Sequence, residues 1–298
     1  QGAQSNASAP QQQDAPPSVY HILTPIAANQ YLTAFLRTFE NVIIPSSLAL
    51  FTKSRELALS QFGALKGMAM PVLFFPFSFL TTLSTLLMPE ITDAFLKKQN
   101  KTLEHLIRRT MLITCVLSAM AGGVFALFAQ EIGQLFYHSA EIGFYLAVLG
   151  PLAPFMYVES MVDSILKGMD EQLATFKYSI IDSLSRIVLI YLLVPRFGMQ
   201  GFLVVMLVSN LLTSLLNVRR LFCVTGLAFD WSAWVAKPLF AVCLSAVAEH
   251  FVFAPLLAKA LPLWAWTVVG ALLTAAAFCL VLWLVGGISM KALQKKRG

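Results

Sequence analysis

Eight stretches of this chain are apolar, and each is long enough to cross a hydrocarbon core of roughly 30 Å as an α-helix of about 20 residues. They lie near residues 29–51, 65–88, 109–129, 142–165, 173–194, 200–222, 237–256 and 263–286. No other feature narrows the fold so far. In hydrocarbon every backbone N–H and C=O must find a partner inside the protein, which leaves only helices and closed barrels. The alternating ten-residue segments of a barrel are absent. The sequence therefore predicts an all-α, polytopic transmembrane helix bundle of about eight spans. Composition agrees: 58% of residues are hydrophobic, 12% are charged, and the mean hydropathy is +0.74, far from the soluble average.

Lysine and arginine orient the spans. With both termini in the cytoplasm, fourteen of the 21 basic residues fall in inner loops and the tail, and five in outer loops. The positive-inside rule then predicts a multi-pass protein of the cell membrane with both ends cytoplasmic. The net charge of +6 is accounted for by this bias and by the basic tail 291–298, which faces anionic lipid, so no nucleic-acid partner is expected. Residues 1–18, rich in Gln, Ala, Ser and Pro, are expected to form a disordered linker. Without an initiating Met or a signal-like segment, the chain reads as truncated at its start.

No GxSxG, Walker A, HExxH or GxGxxG pattern occurs, so no catalytic residue, cofactor or metal site is expected and the chain does not read as an enzyme. The four cysteines, Cys115, Cys223, Cys243 and Cys279, lie scattered in apolar helices and read as small buried hydrophobes.

The first span carries the strongest signal. Asn29, Gln30, Thr33, Arg37, Glu40, Asn41 and Ser47 recur at helical spacing on about one face. An ionised side chain near the centre of a membrane helix costs roughly 2.5 to 3.5 kcal/mol on insertion scales, so this stripe must face protein or water. Asn29, Thr33, Arg37, Glu40 and Asn41, with Asn210 and Asn217 in the sixth span, are the candidate cavity-lining residues. A guanidinium at Arg37 suits a phosphate or pyrophosphate, with Glu40 orienting it or exchanging a cation. Glu159 and Asp163 in the fourth span, and Asp182 and Arg186 in the fifth, are candidates for ion coupling or for helix pairing. Asp182 and Arg186 sit four apart and can neutralise each other. Asp163 with Lys167 also reads as an interfacial pair, and Asn210 to Asn217 as interhelical glue. Pro71, Pro76 and Pro89 should kink the second span. Only Thr267 and Thr274 are polar in the last span, which should face lipid on most sides.

Three runs carry a family resemblance: TFENVIIPSSLALF, GALKGMAMPVLFFPFSFLTTLSTLLMPEITDAF and SRIVLIYLLVPRFGMQGFLVVMLVSNLLTSLLN. Over residues 20–225 the chain resembles the carboxyl-terminal half of the polysaccharide biosynthesis and stage V sporulation protein B family. That family lies within the multidrug, oligosaccharidyl-lipid and polysaccharide exporter superfamily. The resemblance implies two six-helix lobes plus a terminal helix pair around a cavity that opens to alternate sides. Residues 19–225 would be the second lobe and 226–290 the terminal transmembrane pair. The amino-terminal lobe would belong to the same polypeptide or to a partner chain. The implied activity is flipping of lipid-linked cell-wall or polysaccharide precursors, with the bilayer and a lipid-linked sugar as partners. Two alternatives remain open at this point: an ion-coupled multidrug or organic-cation exporter, and a non-transporting scaffold for wall synthesis.

Overall fold

The computed structural model describes residues 19–286 other than residue 259, with side chains described from residue 31 onward apart from 258 and 259. The expected linker 1–18, the basic tail 291–298 and the side chains of Asn29 and Gln30 lie outside the described residues. Among the described residues all regular structure is helical, as the backbone argument requires. Six helical segments are long and apolar enough to cross a membrane.

Helix α1 (Val19–Thr52) covers the first expected stretch. It is not among the six, because its polar residues hold down its apolarity. Ser54 then caps α2 (Arg55–Ala64), its hydroxyl accepting from the Leu57 N–H, the arrangement that satisfies an orphan donor at a helix start. The second span was expected to begin near 65 with Lys66 in an outer loop, but the cap starts the helix ten residues earlier and places Lys66 within it.

That helix then runs through a π-helical turn (Leu65–Ala69) into α3 (Met70–Phe74), breaks at Phe75 and Pro76, and resumes as α4 (Phe77–Leu96). Proline removes a donor and crowds the preceding turn: the Val72 carbonyl, four residues before Pro76, accepts instead from the Phe75 N–H at 3.3 Å, and the helical ladder is broken there. The fully buried Tyr157 donates its hydroxyl to the Leu73 carbonyl beside the break, and a neighbouring helix thereby supplies what the kink removed.

Helix α5 (Asn100–Leu127) buries Leu103, Leu106, Ile107, Thr110, Met111 and Thr114, a face with spacings of three and four. Short helices α6 (Ala129–Tyr137) and α7 (Ala140–Leu149) lead into α8 (Ala153–Gly168). Tyr145, Leu146, Tyr157, Val162 and Leu166 of α7 and α8 are the centre of the main core. Thr92 of α4 donates to the Gly168 carbonyl at 2.9 Å and ties the two helix ends together.

Helix α9 (Gln172–Thr225) has 54 residues, about 80 Å if straight, far longer than a bilayer needs. It is not straight. Gly198 has φ 60° and ψ −138°, a conformation that glycine reaches without Cβ strain. Around it the chain doubles back, so that Ser209 bonds Asp182 and Arg186, and Arg220 bonds Glu171 at 2.7 Å. One long helix thus contains the expected spans 173–194 and 200–222 as an antiparallel hairpin, turning at VPRFGMQG.

Helix α10 (Lys237–Ala248) and α11 (Leu263–Leu284) pack on α5 through a satellite cluster of Ala241, Phe278, Val281 and Leu282. Thr267 and Thr274 of α11 are buried, while most of the helix is not, in keeping with a span that faces lipid on most sides. The cysteine expectation needs correction: Cys115 is buried, whereas Cys223, Cys243 and Cys279 are exposed. In a bilayer an outward apolar side chain costs nothing, so hydrophobicity does not choose between the inner and outer faces of these helices.

Candidate functional site

Burial along α1 begins at Glu40: residues 31–39 are exposed or half-exposed, and Glu40, Ile44, Ser47 and Leu48 then turn inward. That face lies against the α9 hairpin, which brings a carboxylate from one element to a cation on another. Arg186 Nη1 donates to Glu40 Oε2 at 3.4 Å, and Nη2 donates to Asp182. Arg186 Nε donates to the Ser209 hydroxyl at 3.0 Å, and that hydroxyl in turn donates to Asp182. One guanidinium therefore gathers α1 and both limbs of the hairpin. Its fork of five donors suits such a three-way junction better than an ammonium would.

The expected pairing of Arg37 with Glu40 does not form, since Arg186 takes Glu40 from across the helix interface. Arg37 and Asn41 are exposed, and Arg37 makes no ion pair among the described residues. The expected Asp182–Arg186 pair does form. One oxygen of Glu40, Oε1, is buried with no hydrogen-bond partner.

Sequence reasoning missed two members of the cluster. Ser209 sits one position before Asn210, the first polar residue singled out in the sixth span, and was passed over. Lys66 was assigned to a loop, yet it projects from the π-helical turn within electrostatic reach of Glu40, Arg186 and Arg37. Such turns are frequent at functional sites, but nothing in LKGMA signals one.

A second polar contact adjoins the first. The buried Asn217 donates to Glu159 at 3.3 Å, joining α9 to α8, and Glu159 lies within electrostatic reach of Asp182 and Arg186. The Asn217 Oδ1 atom has no partner. Asp163 and Lys167 pair at 2.6 Å near the end of α8. Asn210 bonds its own helix at Met206 O, 2.7 Å away, so it is no cross-helix link. Thr33 is half-exposed above the cluster on α1. No group of three or more His, Cys, Asp or Glu suited to a metal ion occurs among the described residues.

A cavity of about 150 Å³ lies between α4 and α8, lined by Phe77, Leu80, Thr81, Ser84, Thr85, Ser160, Met161 and Ser164.

Residues 61–192 match the MatE family. The stretch runs from the end of α2 into the first limb of the hairpin and includes Lys66, Glu159, Asp163, Asp182 and Arg186. Stage V sporulation protein B of Bacillus subtilis (strain 168) is 25% identical over 196 residues, which is 65% of this chain and 38% of that protein. The sporulation protein YkvU of the same organism is 23% identical over 167 residues, 56% of this chain and 38% of its own length. The matched region thus spans about two fifths of these relatives.

Proposed function

We propose, from the match of residues 61–192 to the MatE family and from the six helical segments long and apolar enough to cross a membrane among the described residues, that the chain is a multi-pass membrane protein and forms part of an alternating-access exporter that flips lipid-linked saccharide precursors. In this reading residues 19–225 are one lobe, 226–290 are a terminal helix pair, and a second lobe supplies the opposite wall of the path. The protein sits in the cell membrane with its termini in the cytoplasm.

One observation carries the reading. Lys66 lies within electrostatic reach of Arg37, Glu40 and Arg186, and Arg186 pairs with two carboxylates, Glu40 and Asp182. Arg186 is engaged by both carboxylates, whereas Arg37 and Lys66 make no ion pair among the described residues and face outward from the bundle. An exposed guanidinium and ammonium within a membrane-spanning bundle require an anion or water opposite them. The phosphate or pyrophosphate of a lipid-linked saccharide is such an anion, and a guanidinium binds it through paired N–H donors. None of the motifs of nucleotide hydrolysis is present, so the drive is an ion gradient, the membrane potential or the substrate's own gradient.

The test uses the whole-length protein in vesicles holding a fluorescent lipid-linked saccharide. Arg37→Ala combined with Lys66→Ala is expected to lower translocation at least tenfold with helix content unchanged; undiminished flipping removes these cations from the path. Export of organic cations is favoured by a different observation, the buried and unpartnered Oε1 of Glu40. On that second reading Glu40→Gln abolishes ion-coupled drug efflux and leaves saccharide flipping intact. A scaffold would be indifferent to all three substitutions.

A further inference from the structure

The cavity between α4 and α8 differs in chemistry from the charged cluster. Five of its eight lining residues are Ser or Thr, and none is charged. Its mouth is formed by the exposed Thr81 and Thr85, and its floor by the half-buried Ser84, Ser160 and Ser164 over the buried Leu80 and Met161. Ser84, Met161 and Ser164 also line a tighter cleft behind it that holds no room for a water molecule. At that closed end lies Thr110, fully buried, with a hydroxyl that has no partner.

The hydroxyl hydrogens determine what can bind. Thr81 donates to Ser78 O at 2.8 Å, Thr85 to Thr81 O at 2.9 Å, and Ser164 to Ser160 O at 3.0 Å. Each of these oxygens has spent its single proton on its own helix and offers only lone pairs to the cavity. Ser84 and Ser160 make no side-chain hydrogen bond among the described residues and remain able to donate or accept. Three acceptors and two adaptable hydroxyls suit a ligand with several O–H groups. An anion would meet lone pairs without a cation to offset them. A cation would find no carboxylate in the lining, since Asp163 is held by Lys167 and Glu159 by Asn217. Phe77, tilted against Tyr157 with ring centroids 5.0 Å apart, adds an apolar wall. A volume of about 150 Å³ is of the size known to admit a six-membered carbon ring.

We infer that this cavity holds one uncharged, polyhydroxylated ring, a single sugar unit, with its hydroxyls on the Ser and Thr side chains and its apolar face on Phe77. The inference rests on the proposed function only for the source of the ring, the saccharide of a lipid-linked substrate, and its chemistry stands on the lining.

The experiment takes the whole-length protein in lipid nanodiscs and measures saturation-transfer NMR to free glucose and N-acetylglucosamine, with choline as the control. Transfer to the sugar ring protons is expected in the wild type. It should fall about fivefold or more, the effect of losing one or two hydrogen bonds, in Ser84→Val combined with Ser160→Val at unchanged thermal midpoint. Ser160→Ala alone serves if the double variant fails to fold. Absence of sugar transfer in the wild type, equal transfer in the variants, or equal transfer to choline overturns the assignment. Sugar transfer without translocation of lipid-linked saccharide would count against the transport reading alone, and translocation without sugar transfer against the cavity alone.

Discussion

Arg186 is the residue on which the most structure converges, and its removal shows what the cluster is worth. Glu40 is 5% exposed and Asp182 is 7% exposed, so each relies on the guanidinium for its charge to be tolerable. Breaking a buried ion pair by deleting one partner typically costs about 3 to 5 kcal/mol, because the remaining charge is left uncompensated. Arg186→Met is therefore expected to lower the thermal midpoint sharply in detergent, and adding Glu40→Gln with Asp182→Asn should recover most of the loss. A fall that the added pair leaves unrepaired would place the destabilisation in packing. Of these contacts the sequence showed only the Asp182–Arg186 pair, which sits four residues apart on one helix. The partner of Glu40 is 146 residues away, and local spacing does not reach across a helix interface.

At the scale of elements, two breaks shape the bundle, and the sequence disclosed them unequally. The prolines of the second span announced a kink, and Pro76 produces it. The capture of the freed Leu73 carbonyl by Tyr157 depends on packing with α8 and left no mark in the local pattern. Tyr157→Phe deletes that donor and keeps the ring, so it should cost about 1 to 3 kcal/mol, the range for a buried polar group left unsatisfied. An unaltered unfolding curve would deny the hydroxyl this role. At Gly198 a Cβ would stand 2.5 Å from the Phe51 ring, at a positive φ. Gly198→Ala should then open the hairpin or displace α1, at a cost of about 1 kcal/mol or more from the backbone conformation alone. The sign is testable: Phe51→Ala should relieve part of the Gly198→Ala defect, and additive losses would mean that the two do not collide.

The whole molecule follows from the bilayer argument, and here the sequence was most legible. Long apolar stretches identify helices because a membrane leaves the backbone little choice. What they do not identify is which face of each helix is covered. The three exposed cysteines and the buried threonines of α11 show why, since lipid and protein interior are equally hospitable to apolar atoms. Polar residues carry that information. On α1, residues 31–39 are exposed or half-exposed, Arg37 is exposed among them, and Asn41 is exposed just beyond them. Lipid is a poor neighbour for that face, and the proposal places a water-filled path there. Replacing every native cysteine of the whole-length protein by alanine, Cys115, Cys223, Cys243 and Cys279 among them, and introducing Asn41→Cys puts a single reporter on the path. Reaction with a membrane-impermeant maleimide from both sides of sealed vesicles, with the balance shifting when lipid-linked saccharide is added, is the expected result. A thiol that reacts from neither side would contradict it, because the stripe would then face lipid or packed protein.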